Sequence, residues 1–223
     1  MRKSPSANSM DSITVFCMAK PEGTAVSIDR LSDGERMRAQ RLRRAQDRQL
    51  FVAAHALLGY ALRRLGADAA LVAAGASGKP FIAGGGEEPP PFFNLSYCSG
   101  MAVCAVSRTR QVGVDVERVD AAGAGDAAEI AFCAAEREWI ADDPFRFVQL
   151  WTMKEALFKL EGVAWSEAWK QRSILAAVTG KGASDGPTWQ RRLGSEHLAA
   201  LACSGDIPAA VAWIWVGGAE LTA

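Results

Sequence analysis

The chain has 223 residues, of which 49% are hydrophobic and 22% are charged, and its 25 lysine and arginine residues balance its 25 aspartate and glutamate residues. This composition predicts a soluble globular protein with one large domain or two small ones, and the zero net charge argues against whole-surface binding of nucleic acid or of an anionic membrane. No apolar run has the length of a membrane span. Five scattered cysteines without a C-x-x-C pair predict neither a zinc site nor a disulfide framework, so a reducing cytoplasm is the expected location.

The first part of the chain alternates strand-like and helix-like stretches. Residues 1–11 contain no apolar core segment and are predicted to be a flexible leader. Ser32 is the expected N-cap of the first helical stretch and Gly66 its end. In chain order the predicted elements are a strand at 12–20, one or two helices at 31–66, a loop at 83–91, strands at 92–96 and 101–107 around a turn at 97–100, and a strand at 111–119.

The second part repeats a helix-then-strands order. Its predicted elements are a loop at 121–126, helices at about 126–142 and 145–161, and strand-like stretches at 173–179, 197–203 and 209–216, broken by a loop at 180–187. The stretch FVAAHALLGYALRRLG, which ends at Gly66, echoes FVQLWTMKEALFKLEG, which ends at Gly162. We therefore predict a helix-then-strands unit that occurs twice, and the interface between the two halves is then the natural place for a ligand cleft.

The strand QVGVDVERV places two carboxylates on one face. Its period of two separates three valines from Gly113, Asp115 and Glu117. A half-buried strand with an acidic solvated face explains this pattern. The alternative is a Mg²⁺ site, because that ion is usually held by one or two carboxylates together with a phosphate. Gly113 would then allow a ligand to approach the backbone.

The helix LWTMKEALFKLEG carries charges on one side. Lys154, Glu155 and Lys159 fall within an arc of about 140° on a helical wheel. This is either a solvated stripe with a stabilising pair between Glu155 and Lys159, or a carboxylate base between two phosphate-binding lysines. Glu136, on the preceding predicted helix, is either a surface acid or a third oxygen ligand.

Three further stretches carry polar or basic groups. SGKPF, with Lys79, is not a Walker loop and is explained as a turn that enters a strand. FFNLSYCSG offers Ser96 and Tyr97 at a strand end, where turn polarity is an equal explanation. The arginine run between residues 36 and 48 includes Arg44, and it forms a solvated helix face or a local site for one phosphate or an acidic partner.

In this order, the stretches resemble the signatures of the two-halved, Sfp-type 4′-phosphopantetheinyl transferases over about residues 30–165. VGVDVE is similar to the family's G-[VI]-D-[VIL]-E signature, and WTMKEALFK is similar to W-x-x-K-E-[AS]-x-x-K. GKPF and FNLS match two further family blocks, and Glu136 stands where the resemblance places a third acid. The family usually has a histidine, which helps to hold the 3′-phosphate of coenzyme A, where this chain has Tyr97.

The resemblance implies an α+β fold of two similar halves related by a pseudo-twofold, at 12–108 and 109–223, with the active site in the cleft between them. It also implies a cytoplasmic, monomeric enzyme with coenzyme A and Mg²⁺ in that cleft. Such an enzyme transfers the 4′-phosphopantetheine arm of coenzyme A to a serine of an apo acyl or peptidyl carrier protein of fatty-acid, polyketide or nonribosomal-peptide synthesis, and it releases 3′,5′-ADP. The alternatives are a coenzyme A-binding regulatory relative with little or no turnover and a nucleic-acid-binding or partner-binding helical module built on the arginine run. Carried over by position, the implied metal ligands are Asp115, Glu117 and Glu136, the implied catalytic residues are Glu155, as base, and Lys154, and the implied contacts to coenzyme A are Lys79, Ser96, Tyr97, Lys154, Lys159 and Arg44.

Overall fold

The computed structural model describes residues 12–75, 78–84, 88–120, 124–163, 166–179, 188–206, 208 and 211–222. Its strands form a four-stranded sheet of order β4-β5-β1-β9, a three-stranded sheet of order β6-β8-β7, and the small pair β2-β3. The strands are β1 (Ile13–Ala19), β2 (Val72–Ala74), β3 (Pro80–Ile82), β4 (Phe92–Cys98), β5 (Met101–Ser107), β6 (Val112–Arg118), β7 (Thr188–Leu193), β8 (His197–Cys203) and β9 (Val211–Trp215).

Helices cover the outer faces of these sheets. They are α1 (Asp33–Arg41), α2 (Ala45–Arg64), α3 (Ala124–Ala131), α4 (Ala134–Ile140), α5 (Pro144–Glu161), α6 (Glu167–Gln171), α7 (Leu175–Thr179) and α8 (Gly218–Thr222). None of the helices in the described part of the chain has the length and hydropathy that crossing a bilayer requires. The mixture of sheets and helices confirms the predicted α+β class.

Three clusters of buried side chains define four layers. One cluster joins α2 to the four-stranded sheet, for example Leu57 to Cys104. A second joins α5 to the three-stranded sheet, for example Leu150 to Ala200. The third lies between the two sheets and contains alternate residues of β1, β5, β6 and β8. The order helix, sheet, sheet, helix follows from the period-two burial of the strands, since each strand presents one apolar face to a helix and the other to the opposite sheet.

The two sheets meet closely where β4 lies beside β6. The buried Asn94 side chain on β4 accepts a hydrogen bond from the backbone N–H of Val114 on β6, at 2.9 Å through Oδ1. This bond brings a polar block of the first part of the chain next to the Asp115 region of the second. Strand β9 pairs in parallel with β1 and therefore completes the first sheet from the far end of the chain. The division into 12–108 and 109–223 and the twofold relation of the halves stay predictions.

Several predicted elements are confirmed and others are wrong. The stretch 31–66 forms two helices, and Ser32 caps the first of them in a capping box with Glu35, which satisfies free N–H groups at the helix start. The predicted helix 126–142 is interrupted at Phe132 and Cys133, between α3 and α4. The stretch 173–179 is not a strand: within it α7 places Leu175 and Val178 against the second cluster at helical spacing.

Residues 121–126 were predicted to be a loop, but α3 already begins at Ala124. Residues 121–123 lie outside the described residues, as do the predicted leader 1–11 and the predicted loop 180–187. The sequence also left four elements unassigned: the short strand β2, the short helices α6 and α8, and the edge strand β7.

Gly113 allows a helix to approach the backbone of β6, whereas the sequence suggested that a ligand would approach it. A Cβ atom added at this position would lie 2.1 Å from the carbonyl oxygen of Ala156 and 2.5 Å from the backbone nitrogen of Leu160. Both atoms belong to the backbone of α5, which cannot move aside without separating from the sheet. The glycine before Asp115 is therefore required for direct contact between β6 and α5, and this contact brings the charged residues of the two elements together.

Candidate active site

Asp115 is the centre of a buried polar cluster. The β6 strand places its side chain on the α5 face, and only 3% of the residue is exposed. Its Oδ1 atom accepts hydrogen bonds from Ser96 Oγ at 2.8 Å and from Lys159 Nζ at 2.6 Å. Its Oδ2 atom is buried and has no hydrogen-bond partner within the described residues. A buried carboxylate oxygen without a donor is costly, so this atom indicates a place for a positively charged ligand.

Lys159 reaches Asp115 from the last turn of α5. Asp143 caps the start of this helix by accepting hydrogen bonds from Phe145 N and Arg146 N, and Gly162 ends it in the left-handed conformation. The Lys159 ammonium also donates to Ser96 Oγ at 3.0 Å, and 26% of its side chain is exposed. One end of the ion pair is therefore buried while the other is open to solvent.

Glu117 and Glu155 extend the negative charge around Asp115. Burial and the Asp115 charge raise the pKa of Glu117 to about 7, although the Lys159 ammonium and a hydrogen bond with Trp151 oppose the shift. Burial and the Asp115 charge also raise the pKa of Glu155, again against Lys159. The Asp115 charge thus disfavours the charged forms of both Glu117 and Glu155, and this arrangement creates a strong demand for a cation.

The raised pKa of Glu117 leads to a prediction for the stability of the protein. With a chelator present, Glu117→Gln should raise the free energy of unfolding by roughly 2 kcal/mol at pH 8 and by much less at pH 5. The folded carboxyl keeps its proton to about pH 7, whereas the unfolded one releases it near pH 4.3. Wild-type stability therefore falls as the pH rises through this window, and glutamine has no proton to lose.

Urea unfolding of both proteins at the two pH values measures the effect. The same difference in stability at pH 5 and at pH 8 would show that Glu117 is not protonated in the folded protein near neutral pH.

Glu136 and Lys154 do not join this cluster. Lys154 Nζ donates to Glu136 Oε2 at 2.6 Å and to the carbonyl oxygens of Ala131 and Lys170, at 3.2 and 3.1 Å. The carboxylate also accepts from the backbone N–H groups of Cys133 and Ile174. Glu136 is fully buried and the Lys154 side chain is 3% exposed.

This arrangement differs from the roles that the sequence suggested for both residues. Each oxygen of Glu136 already has a donor, and Lys154 has three acceptors, so neither residue is available to a metal or a phosphate as the protein is arranged here. The helical wheel placed Lys154 beside Glu155 and Lys159, but the side chain points to the opposite side of α5, where it joins α3, α4 and α6.

Lys79 lies at the end of α5, beside two cavities. Its ammonium donates to the carbonyl oxygen of Leu160 at 2.7 Å, near the end of α5, and burial lowers its pKa. Lys79 lines two cavities, of about 390 and about 230 Å³. The smaller one is lined from the first part of the chain by Lys79 and Asn94 and from the second by Phe158 and Lys159. A cavity therefore lies between the two parts, beside the Asp115 cluster.

Tyr97 lies next to an aromatic group from α2. Its ring contacts Phe51 and His55 edge-on, at 6.4 Å between centroids in each case, and burial raises its pKa against the charge of Arg38. Arg44 is exposed at the N-cap of α2. The arginine whose charge acts on the pKa of Tyr97 is Arg38.

Sequence reasoning missed two neighbours of the site. The first is His55, whose Nδ1 lies 2.7 Å from Glu35 Oε1. The second is Trp151, whose side chain forms a hydrogen bond with Glu117. The tryptophan could have been suspected from its place in the W-x-x-K-E stretch, whereas no local pattern connects His55 to a residue 20 positions earlier.

Fold and site together define an α+β protein with a buried carboxylate–lysine cluster beside a cavity between β4 and the end of α5. Residues 111–215 match the family model of the 4′-phosphopantetheinyl transferase superfamily. The chain is also 34% identical over 91 residues to the 4′-phosphopantetheinyl transferase HetI of Nostoc sp., a match that covers 38% of this chain and 38% of that protein.

A second relative is the L-aminoadipate-semialdehyde dehydrogenase-phosphopantetheinyl transferase of Xenopus laevis. It is 34% identical over 100 residues, which are 39% of this chain and 33% of that protein. The matches therefore span between a third and two fifths of the length of these curated relatives. These matches confirm the predicted resemblance at the level of the superfamily, whose family model covers residues 111–215.

Proposed function

We propose that this chain transfers the 4′-phosphopantetheine arm of coenzyme A to a serine of an apo acyl or peptidyl carrier protein, as a cytoplasmic monomer of the two-halved type. The observation that carries the proposal is the cluster of Asp115, Glu117, Glu155 and Lys159 beside the cavity between the two parts of the chain. The superfamily match supports the reaction class.

The reaction requires a proton acceptor and groups that neutralise charge. The serine oxygen forms a bond to the β-phosphorus of coenzyme A, the bond from that phosphorus to the departing 3′,5′-ADP oxygen breaks, and the serine proton must be taken up. Glu155 is the proposed base, and burial and the Asp115 charge raise its pKa, which makes it a stronger proton acceptor than an exposed glutamate. Lys159 and Lys79 are the proposed phosphate contacts from α5 and from the GKPF stretch.

The residues present fit a Mg²⁺ ion. Asp115 has a buried oxygen without a donor, and Glu117 lies two residues further along the same face of β6. Two carboxylates are enough when substrate phosphates and water complete the shell. A bound Mg²⁺ would offset the pyrophosphate charge in the transition state. Within the described chain, no three Asp, Glu, His or Cys side chains are arranged as a closed metal site, and Glu136 is engaged elsewhere, so the proposed ligands are Asp115 and Glu117 alone.

Glu155→Gln tests the proposed base. We expect turnover to fall by roughly 10²-fold or more with little change in the KM for coenzyme A, because glutamine keeps the size of the side chain but accepts no proton. Glu138→Gln is the matched control, since Glu138 is an exposed carboxylate on the neighbouring helix α4. Turnover of Glu155→Gln equal to that of the control would show that Glu155 only stabilises its helix.

The function itself is tested by mass spectrometry of the product. The protein is mixed with coenzyme A, Mg²⁺ and one apo carrier protein from each of the three pathways. A carrier that gains the mass of phosphopantetheine supports the proposal and identifies the pathway. Coenzyme A binding without any mass gain, across all three carriers, would favour the regulatory alternative, and transfer that persists in EDTA would exclude the metal.

A further inference from the structure

One oxygen of Asp115 is already bonded to a cation of the protein itself. Lys159 Nζ lies 2.6 Å from Asp115 Oδ1, and Ser96 Oγ is hydrogen-bonded to both groups, at 3.0 Å from Nζ and 2.8 Å from Oδ1. These three side chains come from β4, β6 and α5, so the triangle ties together both parts of the chain. The ammonium thus contacts the carboxylate to which the proposed function assigns the metal.

Lys159 and a divalent cation cannot both remain at this carboxylate without strong repulsion. A metal that used Oδ1 would displace the ammonium directly. A metal that used only Oδ2 would lie a few ångströms from a positive charge in a buried setting, where water screens the repulsion poorly. Binding of the metal therefore requires Lys159 to move.

The structure also provides a place to which Lys159 can move. Its side chain is 26% exposed and lines the cavity of about 230 Å³ that Lys79 and Asn94 share. A lysine stem is long and flexible, and its ammonium binds phosphate as a compact charge. If the phosphates of coenzyme A enter this cavity, Lys159 can exchange the carboxylate for a phosphate.

We propose that Lys159 competes with the divalent metal for Asp115 until phosphates of coenzyme A draw it away, so that metal and coenzyme A bind with positive coupling. This inference rests on the proposed function, because it assumes that both ligands use this site. By linkage, coenzyme A must raise the affinity for the metal by the same factor by which the metal raises the affinity for coenzyme A. The protein binds the metal weakly by itself and strongly as a metal–coenzyme A pair.

The test uses Mn²⁺ as a probe, with its free concentration read by electron paramagnetic resonance. Titrations without and with saturating coenzyme A compare wild type, Lys159→Met and Lys159→Gln. The glutamine side chain can still donate a hydrogen bond to Asp115, so Lys159→Gln keeps the test informative if Lys159→Met does not fold. Lys170→Met is the matched control: it removes one positive charge from an α6 lysine whose nearest acid is Glu167, at 3.9 Å.

We expect coenzyme A to tighten Mn²⁺ binding to wild type by about 10-fold or more, within the usual range of coupling between sites. Without coenzyme A, the Lys159 variants should bind Mn²⁺ about 10-fold more tightly than wild type and Lys170→Met, and their coupling should be smaller. If the Lys159 variants bind Mn²⁺ no better than Lys170→Met, while wild type binds it with coenzyme A, only this inference is overturned. If wild type does not bind Mn²⁺ even with coenzyme A, the metal assignment of the proposed function fails as well.

Discussion

Asp115→Asn is expected to reduce phosphopantetheine transfer by roughly 10³-fold, the scale of losing a principal charge-stabilising group, while the protein stays folded. Asparagine has the shape of aspartate, and its oxygen can still accept the hydrogen bonds from Ser96 and Lys159 that the structure shows at Oδ1. The variant lacks the negative charge that the proposed metal needs, and it replaces the unpartnered Oδ2 atom by a donor that repels a cation.

Asparagine is preferable to alanine at this position. The sequence allowed an acidic solvated face on this strand, but Asp115 is only 3% exposed. Alanine would leave a cavity and remove both hydrogen bonds, so it would confound stability with catalysis. The isosteric change separates the two effects.

The measurement is the initial rate of carrier modification, together with the thermal unfolding midpoint of each variant. Asp120→Asn is the control, because Asp120 is an exposed carboxylate just beyond β6 that pairs with Arg118 at 2.7 Å; such a surface pair contributes little. The control should keep nearly full activity. An Asp115→Asn variant that transfers at more than about a tenth of the wild-type rate would remove Asp115 from the catalytic site.

The sequence predicted best where the pattern is local. The alternation of valines in VGVDVE gave the two faces of β6, since Val112 and Val114 lie in the core between the sheets and Asp115 points towards α5. The start of α1 at Ser32 and the end of α5 at Gly162 followed from capping chemistry. These features depend on residues within a few positions of each other.

Sequence-based prediction failed where the role of a residue depends on a contact with a residue far along the chain. A helical wheel cannot tell which side of α5 is covered by α3, α4 and α6, so it could not show that Lys154 points away from Lys159. The role of Gly113 depends on Ala156 and Leu160, more than 40 positions later. Tertiary packing also decides that residues 175–179 are helical, although the two alanines there already favoured a helix.

The second prediction with a large expected effect concerns the contribution of the buried Lys154–Glu136 pair to stability. Lys154→Met should lower the free energy of unfolding by about 3–5 kcal/mol, because it leaves the Glu136 charge buried without its cation. It also leaves the carbonyl oxygens of Ala131 and Lys170 without the ammonium donor that they have now. Methionine fills most of the volume of the lysine stem, so the loss reports on charge and hydrogen bonds more than on a cavity.

Urea unfolding at pH 7 of Lys154→Met, Glu136→Gln, the double variant and Lys170→Met measures the pair. The double variant should be more stable than Lys154→Met, since it contains no unpaired buried charge. Lys170→Met should resemble wild type, because the Lys170 ammonium forms only a long ion pair with the exposed Glu167, at 3.9 Å. If Lys154 were a phosphate contact, as the sequence suggested, we would expect a different result. In that case Lys154→Met would unfold at the wild-type urea midpoint and raise the KM for coenzyme A, and this outcome would contradict the buried pair.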